Sequence, residues 1–297
     1  MPLKRTLILS GLILTFFTFS CQKHDKQVQN GKLRIISLAP HITEIIYALH
    51  AQDELVAVTD FCKFPPEARN KEKIGGLLDP NIEKMIALKP THLFGLPSHA
   101  KLSEQLSSFG YRVTMLPDEE VKDILQSILF IGDQIGRHQT AQQLIDHIRK
   151  TLDSLRVSAD DANRLPGVLL IGRTKGTLQN MTAAGEQTYL NELWRLVGGR
   201  NIYADLPTRY GSVNLESLLL RNPAVIIEFD MQKPHSLEKE KLGPEWQLLK
   251  NTPAVKNGQV YIVGGSHTMI PGPRVTWLAR DFQRIIDRVK NEERSHH

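Results

Sequence analysis

The stretch that decides the fold reads Asp79-Pro-Asn-Ile-Glu83-Lys-Met-Ile-Ala-Leu-Lys-Pro90, and a similar stretch reads Ser212-Val-Asn-Leu-Glu216-Ser-Leu-Leu-Leu-Arg-Asn-Pro223. The same offset that separates the two glutamates (216 − 83 = 133) also pairs the asparagines, the apolar residues and the final prolines. Each stretch predicts a short helix, because an N-cap residue (Asp79 or Ser212) precedes apolar residues at helical spacing and a proline ends the pattern. An apolar run follows each proline. The sequence therefore predicts a unit of helix, proline and buried strand that occurs once in each of two lobes.

Strands alternate with helices on both sides of this repeat, which predicts an α/β fold with two Rossmann-like lobes and parallel sheets. The first strand of each lobe is repeated as well, since Arg34-Ile-Ile-Ser-Leu38 has its counterpart in Gly167-Val-Leu-Leu-Ile171. Between the lobes, the stretch from about Gln139 to Ser158 has apolar residues at helical spacing and no internal glycine or proline. At 1.5 Å per residue such a helix spans roughly 30 Å and joins the lobes rigidly.

The N-terminus has the features of an export signal. A short basic region (Lys4 and Arg5) precedes an apolar run from Leu7 to Phe19 that is too short for a spanning helix, with an uncleaved anchor as the alternative. Thr18-Phe19-Ser20-Cys21 resembles a bacterial lipoprotein signal, and this resemblance implies that Cys21 is lipidated and that the body of the protein lies outside the cytoplasm. The predicted divisions are a signal peptide (1–20), a tether (21–32), an N-terminal lobe (33–120), a helical connector (121–160) and a C-terminal lobe (161–297).

The charge and the motifs argue against nucleic-acid binding and against catalysis. The formal net charge of +5 is mild, and the basic residues are dispersed. Gly264-Gly-Ser-His267 lacks the spacing of a nucleophile elbow, and Gly172-Arg-Thr-Lys-Gly176 lacks the order of a phosphate-binding loop. We therefore predict no catalytic residues and no enzyme activity, with a secreted α/β enzyme as the alternative.

Loops that follow parallel strands form the binding edge of an α/β sheet, so candidate ligand contacts are sought there. Four histidines fall in such loops, and converging imidazoles bind zinc or an iron complex. No H-x-H, H-E-x-x-H or C-x-x-C spacing joins any two of them, so no metal site is predicted. The four are His41, His99, His235 and His267.

Aromatic residues in the same loops favour a large planar or apolar ligand. They are Phe61, Phe64 and Tyr210, and the alternative for Phe64, which precedes two prolines, is inward packing that closes its loop.

Glu83 and Glu216 occupy equivalent places in the first turn of each repeated helix. Each follows an apolar residue by one position, which turns the carboxylate about 100° away from the buried face. Both are expected to be exposed, one in each lobe, where they also complement the helix dipole. The apolar residues of the two helices are expected to build the lobes; they are Ile82, Met85, Ile86, Leu215, Leu218 and Leu219.

Five segments carry a resemblance to a known family. They are Arg34-Ile-Ile-Ser-Leu-Ala-Pro-His-Ile-Thr-Glu44, Val58-Thr-Asp-Phe-Cys-Lys-Phe-Pro-Pro-Glu67, Ile74-Gly-Gly-Leu-Leu-Asp-Pro-Asn-Ile-Glu83, Leu88-Lys-Pro90 and Pro271-Gly-Pro-Arg274. In order and spacing they resemble the class III periplasmic substrate-binding proteins of ABC importers, and within them the vitamin B12-binding lipoproteins. The resemblance implies two α/β lobes joined by a rigid helix, with the ligand between the lobes and little hinge closure.

The same resemblance implies partners for the sites above. Glu83 and Glu216 match the glutamates that dock onto arginines of a two-fold symmetric permease. Phe61, Leu77 and Tyr210 fall where vitamin B12-binding members place aromatic contacts, although Leu77 is aliphatic. The expected ligand is a bulky metal chelate, first a cobalamin or other corrinoid, with haem or a ferric siderophore as the alternative. The predicted ligand contacts are Pro40, His41, Phe61, Phe64, Leu77, Tyr210 and His267; no cofactor is expected apart from the transported ligand.

Overall fold

The computed structural model describes residues 32–158, 160 and 163–295. The predicted signal peptide, Cys21 and all of the predicted tether except Lys32 lie outside the described residues. The described residues from Leu33 onward form one compact unit. Within the described part of the chain, no helix combines the length and the apolar composition that a membrane crossing requires.

The first lobe is a parallel sheet of five short strands with helices packed on it. The strand order is β3-β2-β1-β4-β5, and every pair in this sheet is parallel. The strands are β1 (Ile35–Ser37), β2 (Leu55–Val58), β3 (Glu72–Lys73), β4 (His92–Gly95) and β5 (Val113–Met115), and the helices are α1 (Pro40–Ala48), α2 (Ile82–Ala87) and α3 (Ala100–Ser107). The carboxyl ends of β1, β2, β4 and β5 therefore open onto one edge of the sheet.

Two antiparallel-packed helices, α4 (Val121–Gln134) and α5 (His138–Leu155), lead to the second lobe. The second lobe has a sheet with the order β11-β12-β10-β6-β7-β9, with β8 also paired to β6. Its strands are β6 (Leu165–Gly172), β7 (Met181–Ala184), β8 (Gly199–Asn201), β9 (Tyr210–Val213), β10 (Val225–Asp230), β11 (Ser236–Lys239) and β12 (Val260–Gly264). Its helices are α6 (Tyr189–Leu196), α7 (Leu215–Arg221), α8 (Pro253–Lys256) and α9 (Val275–Ser295).

The prediction of two α/β lobes is confirmed, but the second sheet is mixed rather than wholly parallel. Its centre is parallel, since β10 pairs in parallel with both β6 and β12. β7, β9 and β11 add antiparallel pairs. The physical reason is visible between β6 and β7, because the residues from Arg173 to Asn180 form a connection too short for a parallel crossover.

The repeated helices begin at their asparagines and not at the N-caps predicted from the sequence. The Asn81 side chain accepts a hydrogen bond from the backbone N–H of Lys84, and the Asn214 side chain accepts one from Ser217. Asp79 and Ser212 lie outside the helices, so their prediction as caps was wrong. Asparagine is as good an N-cap as aspartate or serine, so residue type alone did not distinguish them.

Only the central residue of each repeated helix is fully buried. Met85 and Leu218 have no exposed surface and pack into the cores of their lobes. Leu219 is 39% exposed, so the expectation that it builds the lobe was wrong. α7 spans only two turns, and of its apolar residues after Leu215 only Leu218 is buried, whereas Leu219 and Leu220 are exposed.

One hydrophobic core runs through both lobes. It includes Ile42 of α1, Ile128 of α4, Ile145 of α5, and Leu193 and Phe282 of the second lobe, all buried. Two smaller clusters, one in each lobe, lie on the other faces of the sheets. The lobes therefore share packed side chains through the connector helices, and rotating one lobe against the other would disturb this core.

Candidate functional site

An ion pair joins the two lobes at the start of α9. Arg274 Nε lies 2.9 Å from Glu44 Oε2, and a second nitrogen of the same guanidinium contacts Glu44 Oε1. Both side chains are buried, and Arg274 also donates to Ser266 Oγ at 3.0 Å. Burial raises the pKa of the Glu44 carboxyl, while the hydrogen bond and charge of Arg274 act in the opposite direction. This two-point contact fixes α1 of the first lobe against the loop before α9.

Phe64 extends this contact between the lobes. The guanidinium carbon of Arg274 lies 3.8 Å from the centre of the Phe64 ring, and the ring of Trp277 meets Phe64 edge-on at 6.0 Å. One face of the ring is therefore covered by protein, as in the inward-packing alternative. The structure leaves its predicted role as a ligand contact untested.

Phe61 and Tyr210 are the most exposed of the predicted contacts. The side chain of Phe61, in the loop after β2, is 56% exposed, and that of Tyr210, at the start of β9, is 37% exposed. Tyr210 therefore lies at the start of a strand, and not in a loop after one as predicted from the sequence. Exposed aromatic rings, one in each lobe, provide apolar surface for a large ligand. Pro40 is half-buried and opens α1 at its first position, where its missing N–H costs nothing.

Leu77 is half-buried and lies in a loop that His99 holds in place. His99 Nε2 donates to the Leu77 carbonyl at 2.6 Å, and its Nδ1 accepts a hydrogen bond from the Leu96 backbone N–H at 2.8 Å. His99 is buried, and both ring nitrogens have protein partners. This histidine therefore has a structural role and no free nitrogen for a metal.

His41 is buried beside an acidic residue that sequence reasoning missed. Its Nδ1 lies 3.9 Å from Asp118 Oδ2, and its Nε2 is buried with no hydrogen-bond partner within the described residues. Burial lowers the pKa of His41 to about 3, so the ring is neutral at physiological pH. Burial, together with Glu119 and Asp123, raises the pKa of Asp118 to about 6.

Asp118 belongs to an acidic segment at the boundary of the lobes. The backbone N–H of Tyr189, at the start of α6, donates to the Glu119 carbonyl at 2.7 Å. Burial and the charges of Asp118 and Glu119 raise the pKa of Tyr210 to about 12. Arg209 pairs with the Glu119 carboxylate. The run Asp118-Glu-Glu120 lies in the loop after β5, separated from the strand by two residues, so a complete survey of strand-exit loops would have found it.

The structure brings together two of the four histidines considered as metal ligands. His267 is fully buried, and its Nε2 lies 2.9 Å from Asp281 Oδ2. His235 Nε2 lies 3.0 Å from the same oxygen, and the two imidazole rings are 4.4 Å apart. Sequence reasoning missed Asp281, whose only signal was a carboxylate between two buried residues of α9, Leu278 and Phe282.

Glu83 and Glu216 are exposed, as predicted. Each lies two residues after the N-cap asparagine of its helix, so the repeat places the two carboxylates equivalently in the two lobes. The structure contains no partner chain, and docking through these residues stays a prediction.

The structure has two surface cavities that none of the seven predicted contact residues lines. One of about 780 Å³ is lined by residues of α4, α5 and α6, among them Val121, Leu152 and Leu193. The other, of about 520 Å³, is lined by Leu155, His235, Trp277, Arg280, Gln283 and Arg284. Neither of these two cavities includes the exposed rings of Phe61 and Tyr210.

Comparison with known proteins identifies the family. A vitamin B12-binding protein of Vibrio vulnificus is 29% identical over 243 residues, which cover 81% of this chain and 85% of that protein. The haem uptake protein IsdE of Staphylococcus aureus is 27% identical over 266 residues, with 86% of each chain covered. These relatives are binding and uptake proteins, which confirms the prediction that this chain is not an enzyme.

A solved structure agrees with these relatives. The vitamin B12-binding protein BtuF of Vibrio cholerae matches with a TM-score of 0.72 and 25% identity, over 86% of this chain and 97% of that chain. This match confirms the predicted two-lobe fold and the resemblance to vitamin B12-binding proteins. The family model of the periplasmic binding proteins matches residues 35–266, and the chain belongs to this family.

Proposed function

We propose that this protein is the lipid-anchored, extracytoplasmic binding component of an ABC importer and that its cargo is a cobalamin or another corrinoid. The proposal rests on the similarity to vitamin B12-binding proteins together with the burial of both histidines among the predicted contact residues. Haem is the alternative cargo, since a haem uptake protein is also a relative. A ferric siderophore is a further alternative.

The predicted contacts supply apolar surface, and the two histidines among them are buried. Haem iron in proteins is held by side chains such as histidine, cysteine, methionine or tyrosinate. His41 is 3% exposed and His267 is fully buried against Asp281, so neither imidazole faces solvent. Cobalt in cobalamin has six ligands of its own and needs no donor from the protein. This difference favours a corrinoid over haem.

Charge at the lobe boundary favours the same cargo. Asp118 and Glu119 lie close to Tyr210 and affect its pKa, whereas Arg209 is paired with Glu119. Haem carries two propionate groups, which such a segment repels, while the side chains of a corrinoid end mainly in neutral amides. Amides also donate hydrogen bonds to carboxylates.

One observation favours the haem alternative. His41 Nε2 is buried without a hydrogen-bond partner among the described residues, and its lowered pKa keeps the ring neutral. A neutral imidazole is an iron ligand once it is exposed. The substitution His41→Ala therefore distinguishes the two: it removes haem binding if this histidine ligates iron, whereas a corrinoid loses one side-chain contact and no metal ligand.

The cargo is tested by calorimetric titration of the purified full chain with cyanocobalamin, haemin and ferric siderophores. Phe61→Ala and Tyr210→Ala are each expected to weaken corrinoid binding about tenfold or more, because buried aromatic contacts dominate binding free energies. Phe130→Ala is the matched control, since Phe130 is an exposed aromatic residue of α4. Tight haemin binding without any corrinoid response would refute the proposed cargo.

Lipid attachment at Cys21 is tested on the protein as the cell makes it. Mass spectrometry of the mature N-terminus is expected to find an acylated Cys21, and Cys21→Ser is expected to release the protein from membranes. An unmodified Cys21, or a mature chain that still contains residues 1–20, would contradict the anchor.

A further inference from the structure

Two histidines and an aspartate from three separate elements meet in the second lobe. His235 directly precedes β11, His267 follows β12, and Asp281 lies in the second turn of α9. The potential ligand atoms of the three residues all lie within 4.8 Å of one another. Asp281 Oδ2 is shared, since it lies 3.0 Å from His235 Nε2 and 2.9 Å from His267 Nε2.

We propose that His235, His267 and Asp281 bind a divalent transition-metal ion of the zinc type, separate from the transported ligand. Imidazole nitrogen and carboxylate oxygen are ordinary zinc ligands, with bonds of about 2.0–2.2 Å. In a tetrahedral complex with such bonds, neighbouring ligand atoms lie roughly 3.3 Å apart. Asp281 Oδ2 lies 2.9 Å from His267 Nε2 and 3.0 Å from His235 Nε2, so these side chains need to shift only slightly to admit the ion.

The surroundings of Asp281 fit a metal-binding carboxylate. Arg284 donates a hydrogen bond to Oδ1, which also lies 3.2 Å from His235 Nε2, while Oδ2 faces both imidazoles. Metal-bound carboxylates are commonly oriented by such a second hydrogen bond.

The two histidines provide a buried ligand and a path to solvent. His267 is fully buried and directs its Nε2 at Asp281 Oδ2 from 2.9 Å. The side chain of His235 is 38% exposed and stacks on Trp277 with ring centres 5.4 Å apart, at the edge of the 520 Å³ cavity. An ion enters from this side, and water fills the fourth position.

A simpler role for the cluster is a hydrogen-bond network in which both imidazoles donate to Asp281. The cations Arg284 and Arg274 act against a bound metal through their charge. The network and the metal site make opposite predictions for metal titration, because the network binds no ion. Either arrangement joins the loops before β11 and after β12 to α9, but only the metal site makes this connection depend on an added ion.

The test is a titration of the metal-free full chain with Zn²⁺ and with Co²⁺, in the absence of any cargo. We expect one Zn²⁺ per chain and, for Co²⁺, the visible absorption bands of a tetrahedral complex. His235→Gln is expected to weaken binding at least tenfold and to abolish those bands, and Asp281→Asn is expected to do the same. His235 is partly exposed, so His235→Gln keeps the test valid if Asp281→Asn does not fold.

Two controls remove the contribution of other histidines. His138→Ala changes a histidine that also contacts a carboxylate, Asp133, and it is expected to leave Zn²⁺ binding unchanged. His296→Ala combined with His297→Ala removes the terminal histidines, and binding is expected to persist. Absence of Zn²⁺ binding, or the same binding in His235→Gln as in the original chain, would overturn the proposal. Cargo titration in the presence of a chelator tests the proposed transport function separately.

Discussion

The guanidinium of Arg274 and the carboxylate of Glu44 form a buried two-point ion pair between the lobes, with Nε 2.9 Å from Oε2. We expect Arg274→Met to destabilise the protein by about 3–5 kcal/mol, because it leaves Glu44 buried without its counter-charge. The combined variant Glu44→Leu/Arg274→Met is expected to be much closer to the original stability, since no buried charge is left unpaired. Denaturant unfolding followed by circular dichroism measures both.

The control for this pair is an exposed one. Arg156 Nη2 lies 3.2 Å from Asp153 Oδ1, and both side chains are more than half exposed. Arg156→Met is expected to cost at most about 1 kcal/mol, as for other surface ion pairs. If Arg156→Met and Arg274→Met lower the free energy of unfolding equally, the buried pair of Glu44 and Arg274 contributes no more to stability than an exposed pair.

The N-cap asparagines are expected to contribute measurably to stability. Asn81→Ala and Asn214→Ala should each lower the free energy of unfolding by about 1 kcal/mol, because a backbone N–H of the first turn loses its acceptor. Ser212→Ala is the control and should change stability by less than about 0.5 kcal/mol, since Ser212 is exposed and caps no helix. If Ser212→Ala lowers the free energy of unfolding more than Asn214→Ala does, Ser212 is the N-cap, as predicted from the sequence.

The proposed docking residues are expected to affect transport but not cargo binding. Charge reversal by Glu83→Lys together with Glu216→Lys should abolish cargo uptake by cells, because each lysine would face the arginine that the carboxylate pairs with. Cargo affinity, measured by calorimetry, should be unchanged. Glu104→Lys, at an exposed position of α3, is the matched control and should leave uptake intact. Normal uptake by the double variant would exclude the docking role.

The raised pKa of Asp118 gives a pH dependence with a defined sign. Between its ordinary value of 3.8 and the folded-state value of about 6, the folded protein binds more protons at Asp118 than the unfolded chain does. This carboxyl therefore lowers the free energy of unfolding as the pH rises through that window. Asp118→Asn should be more stable than the original chain by roughly 1–3 kcal/mol above pH 7, with the advantage fading towards pH 4.

Unfolding curves of both proteins at several pH values check this prediction. Asp146→Asn, which alters an exposed aspartate of α5, should follow the original chain at every pH. If the difference between Asp118→Asn and the original chain does not change with pH, the pKa of Asp118 is not raised.

The fold could be predicted from the sequence because its signals are local. The apolar spacing around Met85 and Leu218, the prolines that follow and the common offset of the two stretches all come from single elements or their repetition. The helix start was predicted wrongly because Asp79, Asn81, Ser212 and Asn214 are all good N-caps, and only the path of the preceding chain decides which one is used.

The site was predicted less completely because it depends on contacts between distant parts of the chain. His235, His267 and Asp281 have no common spacing, and the antiparallel pairing of β11 with β12 and the packing of α9 bring them together. Arg274 was noticed as part of a motif, but its partner Glu44 lies in the other lobe, 230 residues away. Sequence periodicity carries no information on such pairs.

The continuous core through α4 and α5 has a mechanical consequence for the proposed transport cycle. It keeps the separation between Glu83 and Glu216 close to a fixed length. In the proposed docking, a permease would therefore meet two carboxylates at a constant distance. Thermal motion of the binding protein would then contribute little to the release of cargo, and the work of separating the lobes would fall to the proposed importer.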